Sequence, residues 1–320
     1  MSDAGREPGV DVHSDAALPV VDSHHHIWNL ADLPWLNGPP VPRIFGEYSA
    51  IRRDYTIGEY QEDIASSHVI KSVYVQANWA PEKAEDEVAW AQSVADRYGF
   101  PHAIIGFADL AQDDCGGLLD AQMRFRNMRG IRQQLHWHEN PQYRFAPRPD
   151  LVTSPKWQRG LKQVEDRGLV FELQVFAKQM PDCAAVARAF PGVRFVLSHA
   201  GMLEDHSPEN VGLWQSGMRQ LAACPNVYVK LSGLGTFAHR CDVALWKPIV
   251  NETVATFGAT RCMFGTNFPI ERLWTTYANI VSVARQCVAG LSAADQRAIL
   301  HDTALRVYRL VDSGQGRHLD

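Results

Sequence analysis

Eight short runs rich in Val, Ile, Phe and Tyr recur along the chain: Pro19–Ser23, Ile70–Ala77, His102–Leu110, Arg129–Leu135, Leu169–Val175, Val193–Ser198, Val227–Leu231 and Cys262–Thr266. Most are near-continuous apolar stretches rather than strict alternations, the pattern of strands buried on both faces of a parallel sheet. Helical segments lie between them, among them Pro81–Tyr98, Pro155–Arg167, Pro181–Phe190 and Asn210–Ala223. Proline recurs at or near their first positions, where its missing N–H has no helical partner to lose. Strands and helices alternating eightfold predict an α/β protein, a single-domain (β/α)8 TIM barrel over residues 19–312. A doubly wound open sheet would carry a glycine-rich phosphate loop after its first strand, and none is present.

The flanks read differently. Residues 1–18 hold Gly, Ser, Asp and Pro without the apolar core of a secretory signal, so a flexible, disordered leader is expected there, and a flexible tail over 313–320. A hydrophobic content of 46% excludes wholesale disorder, and a net charge of −5 offers no basic face for nucleic acid. No apolar run approaches the ~18–20 residues that span a bilayer. Six scattered cysteines without a CxxC pair read as free thiols of a cytoplasmic protein. The expected partner is a small-molecule substrate, with neither nucleic acid nor membrane; a homo-oligomer is compatible with such a barrel.

The sharpest local signal is Val21-Asp22-Ser23-His24-His25-His26 at the end of the first strand. Alternate strand residues share a face, so His24 and His26 point together and His25 points away. Two imidazoles at a barrel mouth make half a metal site or a hydrogen-bonding pair for a carbonyl or carboxylate. Other polar residues reach the same end: Arg132 on strand four, Glu172 and Gln174 on one face of strand five, His199 after strand six, Lys230 in strand seven and Asn267 after strand eight. Each has a plain structural reading as well: Glu172 paired with Lys230, Asn267 as a cap, His199 as a satisfied core histidine. Gathered at one end of one barrel they describe a site. A second HxH, His136 and His138, opens the proline-bearing stretch His136–Asp150. That stretch and Trp28–Tyr55 follow strand ends and are expected to cover substrate, with His136 and Trp28 as contacts. Trp28, Trp35, Trp79 and Trp137 are candidates for an aromatic rim or for core packing.

These residues resemble the amidohydrolase superfamily, in particular its amidohydrolase-2 branch with L-fuconolactonase-like and 2-pyrone-4,6-dicarboxylate lactonase-like members. The markers are VDSHHHIW at 21–28, PWL at 34–36, FVLSHAG at 195–201, VKLSG at 229–233, CMFGTNFP at 262–269 and the closing TALRVYRL at 303–310. The resemblance implies hydrolysis of a lactone, amide or ester-like bond at the C-terminal mouth of the barrel. His24 and His26 match the family's HxH and His199 its later histidine. The family's strand-eight aspartate, which activates water or ligates metal, is Asn267 here, a side chain that cannot accept the proton. Glu172 stands on the strand that usually supplies a bridging lysine carboxylate, which argues against two metals.

Two mechanisms stay open. His24, His26 and His199 can hold one divalent metal, zinc or manganese, with water in the open position. Alternatively the histidines and an arginine polarise the carbonyl without metal. In either, His199 or Glu172 is the expected base, Arg132 and Lys230 bind anionic groups, Gln174 contacts substrate and Asn267 positions it. The alternatives to a lactone hydrolase are a metal-dependent non-oxidative decarboxylase, which the missing aspartate disfavours, and a non-catalytic pseudoenzyme, for which Asn267 is the only support.

Overall fold

The structure is a computed structural model, and it describes residues 18–310. Most of the expected leader and all of the expected tail lie outside the described residues. Eight parallel strands follow one another in chain order around a barrel: β1 Val20–His25, β2 Val69–Val75, β3 Ala103–Gly106, β4 Met128–Gln134, β5 Val170–Gln174, β6 Arg194–Leu197, β7 Val227–Leu231 and β8 Cys262–Phe264. A helix on the outside joins each strand to the next, as parallel pairing requires. The circle closes between β8 and β1, where His25 bridges Phe268, the Asn267 amide donates to the His24 carbonyl at 2.7 Å and the His26 amide donates to the Phe268 carbonyl at 2.8 Å. The (β/α)8 fold expected from the apolar runs is the fold observed.

Asp22 locks that seam. It is fully buried in β1 and accepts hydrogen bonds from the Thr266 amide (2.9 Å), the Thr266 hydroxyl (2.7 Å) and the Tyr277 hydroxyl (2.9 Å). Burial raises its carboxyl above the usual range while these donors oppose the rise.

Val21, Val73, Ala103, Val170, Val196 and Met263 form one buried apolar cluster, and Ala304, Val307 and Tyr308 from the C-terminal helix Thr303–Tyr308 pack against them. Polar side chains stand among and beyond these: Arg132 pairs in register with Glu172, Glu172 with Val196, and Lys230 with Met263. Because side chains alternate, a one-residue slip would turn this set outward, so the apolar residues between them fix where the polar ones point. Among the described residues no helix is long and apolar enough to cross a membrane.

The two long excursions stand at the C-terminal end. The first holds the short helix Pro34–Asn37 and is pinned at its base by a Trp28–Tyr55 bridge. The second carries one turn, Pro141–Tyr143. Gln142 Nε2 donates to the Arg43 carbonyl at 2.8 Å, so the two meet.

Candidate active site

The strand ends and these two excursions enclose a cavity of about 400 Å³, ample for a small organic substrate. His26, Arg132, Gln174, His199 and Asn267 line its floor, and Trp28, Trp35, Trp79, Phe45 and His136 are among its walls. Three of the four candidate rim tryptophans therefore face the cavity. Trp137 does not line it and instead lies under the Arg144 guanidinium, 4.9 Å from its ring centre.

The floor is built from strand alternation and one unusual turn. His24 and His26 share a face, their rings 5.1 Å apart, while His25 turns outward and stacks on Tyr60 at 4.0 Å. His26 Nδ1 lies 2.7 Å from the Val75 carbonyl, which can only accept, so Nδ1 carries the proton and Nε2 keeps its lone pair. Burial, reinforced by the Arg132 charge, holds His26 well below the ordinary imidazole range, so it is neutral. His199 opens a left-handed turn after β6, with φ of +56°. Its Nδ1 sits 3.0 Å from Ser232 Oγ. Residue 233 must be glycine: its φ is +60°, and a Cβ would fall 2.5 Å from His199 Nδ1. Burial, with Arg132 and Lys230, pushes His199 down to about 3.

Arg132 supplies the charge of the floor. Its Nη2 donates to the Gln76 carbonyl at 2.6 Å and its Nη1 to Gln174 Oε1 at 3.4 Å, while Nε is buried without a protein partner. Burial lowers it to about 10, against the pull of Glu172 and Glu87, so it stays cationic at neutral pH.

Beneath the floor lies a second polar layer that does not reach the cavity. Lys230 Nζ donates to Glu172 Oε1 at 2.6 Å, and the Tyr308 hydroxyl donates to the same oxygen at 2.8 Å. Glu172 and Lys230 are fully buried, and neither they nor His24 line the cavity. The expectation that Lys230 binds substrate and Glu172 takes its proton therefore meets a different geometry, because each is engaged by the other. The plain structural reading of that pair is the one realised. His136 lines the cavity as expected, neutral because burial pushes it down to about 3; His138 does not line it and accepts from the Asn140 amide at 2.9 Å.

The donor chemistry does not fit a divalent metal. Lys230 Nζ lies 3.4 Å from His24 Nδ1, and an ammonium has only protons to give, so Nδ1 accepts and the proton of His24 sits on Nε2, removing the lone pair a metal would need. Arg132 bears on all three histidines and Lys230 on His24 and His199. Asn267 contributes no carboxylate. Among the described residues no group of three or more His, Cys, Asp or Glu side chains could hold a metal ion.

One acidic residue escaped the sequence reading. Glu271, four residues after Asn267, is fully buried and accepts from Trp274 Nε1 at 2.8 Å and from Thr236 Oγ1 at 3.3 Å. It also accepts from the side chain of Asn267; burial nonetheless carries its carboxyl up to about 8. The Asn267 amide nitrogen is thereby engaged, leaving its carbonyl oxygen for a ligand. Asn267 itself holds φ of +59°, a conformation in which Asn is among the tolerated residues. A Glu one helical turn beyond the strand-eight Asn was the available signal, but nothing in the sequence shows that it is buried.

Comparison with known proteins gives the family. A family model described as Amidohydrolase matches residues 21–310. An uncharacterised protein, y4mH, of Sinorhizobium fredii is 36% identical over 92% of this chain and 99% of its own length. An L-fucono-1,5-lactonase of Burkholderia multivorans is 28% identical over 93% of this chain and 98% of its own. Among solved structures, an amidohydrolase from Burkholderia multivorans with bound zinc superposes with a TM-score of 0.77 at 26% identity, covering 92% of this chain and 100% of that one. The chain belongs to the amidohydrolase family and is an enzyme of the amidohydrolase superfamily.

Proposed function

We propose that this enzyme hydrolyses a lactone at the cavity floor by direct polarisation of the carbonyl, without a metal step. The observation that carries the reading is Arg132, an unpaired buried guanidinium set beside two neutral imidazoles and an oriented amide. The lactonase relative supports the bond class.

In this mechanism the lactone carbonyl oxygen accepts from Arg132, whose charge counters the oxyanion that forms. The attacking water donates a hydrogen bond through one proton, which it keeps, to Asn267 Oδ1, and this aims its oxygen. The other proton passes to His26 Nε2 as the water oxygen bonds to the carbonyl carbon. A neutral imidazole beside a cation is a weak base in the resting site. The developing oxyanion cancels that cation, so His26 gains proton affinity as the transition state is reached, which is differential stabilisation. When the intermediate collapses, the ring C–O bond breaks and the proton on His26 moves to the leaving alkoxide, giving a hydroxy acid. His199 lines the same floor as a second hydrogen-bonding partner for substrate. Glu172, Lys230 and His24 act from below by holding the floor in place. Six unpaired cysteines suit a reducing compartment, and we place the enzyme in the cytoplasm.

The test is proton release from a panel of γ- and δ-lactones, followed with a pH indicator on chelator-treated enzyme. Turnover that persists after chelation and falls in Arg132→Met is the expected result. Turnover abolished by chelation and restored by zinc overturns the metal-free step. Silence toward every lactone, with carbon dioxide released from carboxylated aromatics, replaces the hydrolase with the decarboxylase.

A further inference from the structure

The charges lining the cavity are one-sided. Arg43, Arg132 and Arg144 line it, and among the described residues no Asp, Glu or Lys does. This is not for want of acids, since the chain carries 36 acidic against 31 basic residues. Elsewhere arginines find carboxylates: Arg53 with Glu59, Arg124 with Glu85 and Arg167 with Asp120. Among the described residues none of the three cavity arginines has a carboxylate within ion-pair distance. Arg43 stacks over Trp35, 5.6 Å from its ring centre, with its Nε buried and unpartnered. Arg144 donates only to backbone, from Nε to the His138 carbonyl and from Nη2 to the Glu139 carbonyl, both at 3.0 Å.

The three differ in depth. Arg132 is on the floor with the histidines. Arg43 and Arg144 come from the two excursions that meet through Gln142, so they stand on the walls away from the reacting end. Aromatic groups, Trp28, Trp35, Trp79, Phe45, Phe145 and Phe237, occupy much of the surface between. Arg43 is half-buried and Arg144 exposed, so their field is partly screened, but cations without a carboxylate partner on the walls of an aromatic cavity still favour an anion over its neutral isostere.

We propose that the substrate is a carboxylated lactone, its carboxylate held by Arg43 and Arg144 and its apolar ring body lying between the aromatic walls, rather than a neutral polyhydroxylated lactone. This deepens the lactone reading for the reacting end, but the anion subsite has its own readout.

The probe is a non-hydrolysable pair, a phenyl-substituted tetrahydropyran bearing a carboxylate or the matching carboxamide, titrated calorimetrically into the intact enzyme. The carboxylate is expected to bind about 10- to 100-fold more tightly. Arg43→Gln and Arg144→Gln should each erode that preference, Arg43→Lys should retain much of it, and added salt should weaken the carboxylate alone. In turnover, Arg43→Gln should raise KM for a carboxylated δ-lactone more than it lowers kcat. Equal affinity for the two probes, or no binding of either, overturns the proposal, as does a preference that survives both substitutions. A carboxylate preference that follows Arg43 and Arg144 while no lactone is turned over keeps the anion subsite and removes the lactonase reading instead.

Discussion

Two polar layers stand one above the other in the barrel, and they use similar groups to opposite ends. In the lower, Lys230 and the Tyr308 hydroxyl both engage Glu172 Oε1 and Lys230 also reaches His24 Nδ1, out of contact with the cavity, with only Glu172 Oε2 and His24 Nε2 left unpartnered. In the upper, Arg132 has no carboxylate partner, His26 keeps a free lone pair and Asn267 a free carbonyl oxygen. A cation already neutralised by its neighbour gains little from a substrate. A cation held only by carbonyl and amide dipoles keeps its field for the ligand. Whether a polar residue at a barrel mouth is structural or chemical thus depends less on its type than on whether the fold has already answered it.

The largest effect tests the lower layer. Lys230→Met strands the Glu172 carboxyl in the barrel and is expected to lower unfolding stability by about 3–5 kcal/mol. Pairing it with Glu172→Leu should recover most of the loss in denaturant melts. A single variant as stable as the parent would show that water or a shifted partner reaches Glu172, erasing the distinction between the layers. The upper layer should respond the other way. Arg132→Met is expected to reduce kcat/KM about 10²- to 10³-fold. Its stability loss should be only about 1 kcal/mol, for the hydrogen bond to Gln76. A collapse of stability with turnover intact would move Arg132 into the lower layer.

The barrel was legible because its signal is local and repeated. Burial on both faces writes a near-continuous apolar run, and Val227–Leu231 is observed with the bounds read from sequence. Runs were over-read where the chain leaves the sheet to form the cavity: β3 ends at Gly106 and Phe107 lines the pocket, while β8 ends at Phe264 so that Thr266 and Asn267 can bond β1. Cys115–Met123 is a helix despite Gly116 and Gly117, and Val243–Phe257 despite Pro248, because packing overrides propensity. The HxH phase was readable for the same reason as the strands, a period of two. What the sequence withheld was partnership. Lys230 and Arg132 look alike as basic residues in strands; the sequence offered a Glu172–Lys230 pair as one of two readings, and the fold selects it. Glu271 was hidden because its burial is a tertiary event: Trp274 is a local partner on the same turn, but Thr236 comes from a segment 35 residues away.

Asn267 offers a sharper test of the upper layer. Restoring the carboxylate expected of the family with Asn267→Asp would set two carboxyl groups against each other, since the Asn267 amide now donates to Glu271. At most one of the pair ionises easily, and the oriented acceptor is lost. We expect kcat to fall about 10- to 100-fold, given the 1–3 kcal/mol attached to such a buried hydrogen bond. Asn267→Asp with Glu271→Gln should recover part of it. A gain in activity from Asn267→Asp alone would mean that the site awaits a carboxylate base, and His26 would lose the role proposed for it.

Glu271 gives the smallest effect and the one that reads the boundary between the layers directly. Folded, its carboxyl titrates near 8, whereas its ordinary value is 4.5. The folded protein therefore binds more protons than the unfolded one between those values, and this group's contribution to stability declines as pH rises through that window. Glu87, raised to about 7 by burial, acts in the same sense over a narrower range. Glu271→Gln removes one of the two slopes. Unfolding measured at pH 6 and pH 8 should show the parent losing about 1–2 kcal/mol more than the variant. Parallel losses would mean that Trp274, Thr236 and Asn267 together keep Glu271 ionised. Asn267 would then be tied to a full negative charge, and the oxyanion on Arg132 would form close to a second anion. That arrangement opposes the chemistry proposed for the floor, so the weakest perturbation bears on the strongest claim.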